Sequence, residues 1–372
     1  MRIGLNLLYL MSGVVGGTET YADGLIKGFA GTDNKNEYYI FVNRESAEWP
    51  LPNHANFTRV VCPVSSASRS KRYFYEQVLL PKLLKYYRVE IVHSLGYVGP
   101  LYSPCPSIVT IHDLNYIDLA HTMSFRRRLM LRFFSTQAAR RANQVITVSQ
   151  FSKERIIRIL RLPAEKITVT YEAPGERANF GKIWDWAELA RLYRITTPYV
   201  VAFAGGTVHK NIRRLIQAFS TVSDRFAHSL VLIGRLPPGV DLKAMMKKGF
   251  GHRVISTGYV PDSHINPILS HADLFVLPSL YEGFGIPVLE AQQANVAVAC
   301  STAGSLPEVA GEAAIFFDPN SVDAIAQAMC RCLSNDMLRA ELSLLGQQNL
   351  KRFAWEKTAS QTLGIYRKVL NG

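Results

Sequence analysis

Pro278-Ser279-Leu280-Tyr281-Glu282-Gly283-Phe284-Gly285-Ile286-Pro287-Val288-Leu289-Glu290 is the stretch on which the reading of this chain turns. The apolar run before it, residues 273–277, has the length and composition of a buried strand. After it the pattern becomes helical, and Pro287 suits a first helical turn, where a missing N–H costs nothing. Gly283 and Gly285 let the backbone come close to a ligand. The free amides and positive dipole end of a helix beginning there suit a phosphate or sugar oxygen. Glu282 stands on the turn and Glu290 about one turn into the helix, so two carboxylates can accept from two sets of hydroxyls. A random pair of this kind is usually a pair of surface carboxylates. The Gly-Phe-Gly turn after an apolar strand favours a site instead.

Working outward, the same strand–turn–helix alternation fills the chain. Strands are expected at 3–8, 38–42, 57–62, 90–93, 107–111, 144–148 and 167–170, with helices near 18–29, 70–86, 124–142 and 151–160. The second half repeats this, with strands at 199–204, 229–233, 253–257, 273–277, 296–300 and 313–317. Helices fall near 211–221, 265–270, 287–293, 306–310, 321–335 and 336–352. The alternation predicts α/β architecture, parallel sheets with helices on both faces. Periodicity breaks over 172–198, which reads as a linker between two doubly wound domains, 1–175 and 190–354. Sheets of this kind bind ligands at the C-terminal ends of their strands, so two facing domains predict a site in the cleft between them.

Length and composition agree. A chain of 372 residues is long for one core, and 48% hydrophobic with 19% charged residues fits a globular interior. No run of about 18 apolar residues is present, which argues against a spanning helix. The first eleven residues have some look of a signal peptide, but Asn6 interrupts the run and a strand entering a glycine loop explains them better. Five cysteines, Cys62, Cys105, Cys300, Cys330 and Cys332, show no zinc spacing and read as free thiols of a reducing, cytoplasmic compartment. The net charge of +13 is uneven: +9 on residues 1–180 and +4 on 181–372. A basic first half suggests an anionic partner.

The segment Tyr281 to Glu290 closely resembles the Glu-x7-Glu signature of the family 4 retaining glycosyltransferases, which have the two-domain GT-B fold. The likeness spans nearly the whole chain. Phe203-Ala204-Gly205-Gly206-Thr207-Val208-His209-Lys210-Asn211 resembles the family's glycine loop. Leu230 to Gly234, Gly258-Tyr259-Val260-Pro261, Gly304 to Gly311 and Phe353-Ala354-Trp355 also have counterparts. So do Gly16-Gly17-Thr18-Glu19, Ile91 to Ser94, Val109 to Asp113 and Val145 to Ser149 in the first half.

The resemblance implies roles. Glu282 would hold hydroxyls of the donor sugar and Glu290 the ribose. Gly283, Phe284, Gly285 and Ile286 would meet the sugar and diphosphate, and Lys210 would neutralise the leaving diphosphate. Gly205, Gly206, Gly234, Tyr259 and Val260 complete the nucleotide site. The family often has arginine where this chain has His209; Arg213 or Arg214 would supply a second cation, or both are solvated helix charges. Gly16 and Gly17 would face the donor from the first domain. His112, at a strand end, would touch the donor sugar, with Asp113 orienting it. The terminal helix, about 355–372, would pack back on the first domain.

Retention of configuration and an α-linkage are implied. No carboxylate is evident for a double displacement, which favours a front-face path in which the diphosphate helps deprotonate the acceptor. No Asp-x-Asp appears, so neither a metal nor another cofactor is expected. The texture of His112-Asp113-Leu114-Asn115-Tyr116 and Lys210-Asn211 looks most like bacterial polysaccharide or O-antigen mannosyltransferases, implying GDP-mannose, with UDP- or dTDP-sugars as alternatives. The acceptor would be a glycan or a polyprenyl-diphosphate-linked saccharide. Arg126, Arg127, Arg128 and Arg132, interleaved with Phe125, Leu129, Met130, Leu131, Phe133 and Phe134, form either a core helix with a solvated basic face or an interfacial helix on anionic lipid at the inner face of the cytoplasmic membrane. A nucleic-acid binder would need a reading helix or cations interleaved with aromatics on one sheet face, and neither is found. A catalytically silent GT-B subunit is disfavoured by the intact Glu282, Glu290, Lys210 and His112.

Overall fold

The computed structural model describes residues 1–11, 16–118, 125–175, 184–247 and 253–372. In strand β1 (Arg2–Leu7), all five residues after Arg2 are buried. A strand buried on both faces needs helices on both sides, the usual setting of a parallel sheet. The first sheet adds β2 (Glu37–Val42), β3 (Phe57–Val61), β4 (Ile91–Ser94), β5 (Ser107–Thr110), β6 (Gln144–Thr147) and β7 (Ile167–Val169) in the order β3-β2-β1-β4-β5-β6-β7. The second comprises β8 (Tyr199–Phe203), β9 (Ser229–Ile233), β10 (Val254–Gly258), β11 (Leu274–Leu277), β12 (Val298–Ser301) and β13 (Ile315–Phe317), ordered β10-β9-β8-β11-β12-β13. Every ladder between these strands is parallel.

The order reverses between β1 and β4 in the first sheet and between β8 and β11 in the second. These are the switch points at which open α/β sheets bind ligands. At the first, Asn6 of β1 is in register with Ser94 of β4 and donates to its hydroxyl at 3.1 Å.

The chain divides into two compact units, residues Met1–Ala173 with Phe353–Gly372, and Pro174–Arg352. Helix Trp355–Asn371 lies on helix Gly17–Thr32 of the first unit: a Cβ on Gly24 would fall 2.0 Å from the Trp355 ring, so only glycine permits the contact. Farther along the same helix, the Tyr366 hydroxyl meets Nδ1 of His93 on β4 at 2.6 Å. In the second unit, helix Ile212–Val222 buries Ile212, Leu215, Ile216, Phe219 and Val222, the i, i+3, i+4, i+7 stripe of an amphipathic helix. Each such side chain contributes roughly 1.5–3 kcal/mol of burial.

Two expectations need correction. Not all of 172–198 is linker: Trp186–Tyr193 is a helix, N-capped by the Asp185 side chain, which accepts from Ala187 N–H at 3.0 Å. The helix expected at 70–86 is broken into Arg69–Phe74 and Leu80–Tyr86 by a π turn, Tyr75–Leu79.

Candidate active site

In the second unit the sequence after β8 and the sequence after β11 meet. Lys210 donates to Oε1 of Glu282 at 2.7 Å, and the Ser279 hydroxyl donates to the same oxygen at 2.6 Å. Both partners are largely buried, at 17% and 12% side-chain exposure. Burial pushes the Glu282 carboxyl upward, but the Lys210 charge and hydrogen bond, the Ser279 hydroxyl and the charge of His209 outweigh it and hold the group below the usual glutamate value. The site therefore keeps a fixed carboxylate, its second oxygen without a hydrogen-bond partner among the described residues, beside a fixed ammonium.

The backbone explains the position. Leu280 N–H donates to His209 O at 2.8 Å, and the Asn211 amide donates to Pro278 O at 3.0 Å and Pro319 O at 2.7 Å. Asn211 thereby ties together the segments that follow β8, β11 and β13. Gly304 lies against the turn so closely that a Cβ there would stand 2.3 Å from Glu282 O. From the adjoining residue, the Ser305 hydroxyl donates to Phe284 O at 2.6 Å and to Glu282 O at 3.1 Å. Gly205 leaves room for the Lys210 side chain, whose Cγ would lie 3.2 Å from an added Cβ.

Gly285 caps helix Ile286–Gln293, with Pro287 in its first turn, and Glu290 is buried one turn in. Gly283, Phe284 and Ile286 are buried beside it. Gly206 N–H donates to Arg235 O, and Gly234 N–H donates to Gly258 O, both at 2.8 Å, at the ends of β8, β9 and β10. Next to them Tyr259 is exposed and Val260 buried. His209 is shifted downward by burial, with Glu282 opposing this and the Lys210 charge adding to it. Arg214 donates to Asn211 Oδ1 at 3.1 Å and braces the loop, whereas Arg213 is exposed.

In the first unit, Gly16 and Gly17 begin helix Gly17–Thr32 with open space around both. His112 is buried just past β5. Its Nε2 donates to Leu95 O at 2.9 Å, and its Nδ1 faces Glu172 Oε1 at 3.2 Å. The expectation that Asp113 orients this ring is corrected: Asp113 accepts from the Tyr97 hydroxyl at 2.9 Å and from Asn115 N–H at 3.1 Å, and Glu172 holds the histidine. Burial raises the Glu172 carboxyl, and His112 partly offsets this. Glu172, Ser279 and Ser305 were not singled out from sequence. Glu172 lies just past a strand C-terminus, the rule that drew attention to His112. The side chains of Arg126 and Arg127 lie outside the described residues. Arg128 stacks over Phe125 at 5.5 Å, Arg132 is exposed, and Phe125, Leu129, Met130 and Phe133 also face solvent.

The profile described as "Glycosyl transferases group 1" matches residues 198–335, and "Glycosyltransferase Family 4" matches residues 15–173. The chain is 31% identical over 354 residues to the O-antigen chain mannosyltransferase B of Escherichia coli, covering 88% of this chain and 92% of that protein. It is 26% identical over 265 residues to the O-antigen chain mannosyltransferase RfbU of Salmonella typhimurium, covering 69% and 70%. Among solved structures, the sucrose-phosphate synthase of Thermosynechococcus elongatus superposes with a TM-score of 0.78 at 18% identity, covering 100% of this chain and 99% of that one. The fold class is GT-B, with two parallel-sheet α/β domains.

Proposed function

This chain belongs to glycosyltransferase family 4 and is a hexosyltransferase, and from that premise we propose that it transfers mannose from GDP-mannose to a saccharide acceptor with retention of configuration. The observation that carries this is the Lys210–Glu282–Ser279 cluster at the β8/β11 switch point. Its carboxylate accepts from donor-sugar hydroxyls, and its ammonium stands ready for the charge of a departing diphosphate. Glu290 takes the ribose hydroxyls, and Tyr259 and Val260 flank the base. The mannosyl group and a growing O-antigen-type acceptor come from the two O-antigen relatives.

In the front-face path, the acceptor hydroxyl oxygen bonds to the anomeric carbon as the bond from that carbon to the diphosphate oxygen breaks. The hydroxyl proton passes to the leaving diphosphate on the same face, so the linkage formed is α. Lys210 performs the neutralisation that a divalent cation would otherwise supply, so no metal or other cofactor is required.

The test is a thermal-shift panel of GDP, UDP, dTDP and ADP on the native protein and on Glu290→Ala. A shift with GDP that weakens in the variant is the expected result. A shift with UDP alone overturns the GDP assignment, and none with any nucleotide overturns the donor site. Product NMR showing a β-anomer would overturn retention.

Among the described residues no helix is long and apolar enough to cross a membrane. We infer peripheral attachment to an anionic bilayer through helix Phe125–Arg141. Solvent-facing Phe125, Leu129, Met130 and Phe133 with Arg128 and Arg132 support it. Co-sedimentation with phosphatidylglycerol vesicles, lost in Phe133→Ser/Arg132→Glu, is expected. Equal binding by native and variant protein would overturn it.

A further inference from the structure

The π turn Tyr75–Leu79 has a sequence cause. Pro81 offers no N–H to the carbonyl of Gln77, and its ring crowds that carbonyl. The ladder widens just before it, with Leu80 N–H closing onto Tyr75 O, five residues back. Gln77 fixes the turn to the segment after β4: its amide donates to Gly99 O at 3.1 Å, and its Oε1 accepts from Leu101 N–H at 2.9 Å.

The turn presents Glu76 inward, with 1% of its side chain exposed. Glu76 lies beside Asn6, at the end of β1 and therefore at the first unit's switch point. Arg72, one turn earlier, stands with Nε 3.8 Å from Glu76 Oε2, too far for a hydrogen bond. Among the described residues, neither of these two buried atoms has a hydrogen-bond partner. Burial pushes the Glu76 carboxyl up to about 7 against the opposing effects of Arg72 and Asn6. Unmet buried polar atoms are costly, and this pair lies at the place where sheets of this kind take ligands.

The pair offers one N–H and one carboxyl oxygen. A sugar hydroxyl can accept from the first and pair with the second. Arg72 is the less buried partner, at 11% side-chain exposure against 1%, and since both unmet atoms are closed to solvent a ligand hydroxyl reaches them only as the Arg72 side chain moves. We propose that Arg72 and Glu76 hold one hydroxyl of the acceptor sugar, a subsite on the first unit that selects the acceptor. This rests on the transferase reading above and extends it to the acceptor.

The test is a cycle of kcat/KM values with GDP-mannose as donor. The acceptor probes are methyl α-D-mannopyranoside and its four monodeoxy analogues. With the native protein, one deoxy analogue is expected to lose about tenfold or more, as a site built around a hydroxyl requires. In Glu76→Leu that penalty is expected to shrink to about twofold, with the KM for GDP-mannose unchanged, because both changes remove one interaction. Penalties of equal size in native and variant protein overturn the subsite. Should Glu76→Leu not fold, as judged by its melting curve, Arg72→Met takes its place, since Arg72 supplies the donor half. Failure of the native protein to mannosylate any probe overturns the mannosyl reading, and the subsite with it.

Discussion

Lys210 and Glu282, 72 residues apart in sequence, share a 2.7 Å charge-assisted hydrogen bond. Each therefore sets the state of the other. The ammonium keeps the buried carboxylate ionised, and the carboxylate keeps the ammonium aimed into the segment that follows β11.

Replacing Lys210 by Met leaves Glu282 buried without its cation. The expected cost is about 3 kcal/mol of stability in urea unfolding, together with a loss of kcat of roughly 10²–10³-fold. Glu282 is held below the ordinary glutamate value of 4.5, so the stability it contributes is full above that pH and is lost as the pH falls through its folded value. Acid titration of stability in Lys210→Met should be flatter there than in the native protein. Equal slopes would show that the pair does not set the carboxylate.

Gly304→Ala should disturb the same carboxylate from a distance. A methyl group 2.3 Å from Glu282 O, at a φ of +67°, forces the turn to move. A cost of about 1–3 kcal/mol is expected. The KM for the sugar nucleotide should rise with it, measured against an unchanged melting cooperativity.

For His112, replacement of Glu172 separates geometry from charge. In Glu172→Gln the amide N–H can donate to Nδ1 of a neutral ring while Nε2 still donates to Leu95 O. Activity near neutral pH should stay within about threefold, whereas Glu172→Ala, which leaves Nδ1 unmet, should lose more and cost about 1–3 kcal/mol. The raised carboxyl of Glu172 stabilises the fold below its ordinary value and loses that contribution as the pH rises. The stability of the native protein relative to Glu172→Gln should accordingly fall with rising pH. A difference that grows with pH would mean that the ionised pair dominates.

If Lys210 serves where a cation would, transfer should survive chelation. Rates with excess EDTA are expected within about twofold of untreated rates, since the ammonium supplies the charge stabilisation. A loss restored by added Mg²⁺ would count against this.

Much of this arrangement could be read from the chain. An apolar run, a glycine-bounded turn and a proline in the next helical turn leave one reading of 273–293, and the structure has β11 followed by helix Ile286–Gln293 there. The parts that could not be read depend on distant contacts. Glu172 gains its meaning from a histidine 60 residues earlier in the sequence. The π turn has a visible cause in Pro81, but periodicity alone reads straight through it. The pattern of Phe125 to Phe134 offers two apolar faces, and only packing decides which stays in water: Leu131 reaches the core while Phe133 does not.

The chain leaves the first unit after Ala173 and returns to it at Phe353. On a ribosome, the second unit's sheet is complete before Trp355, the ring that covers Gly24, has been made. The first unit, begun earlier, must therefore wait with helix Gly17–Thr32 uncovered until the final helix emerges. A stop codon near residue 353 would therefore damage the half of the protein translated first.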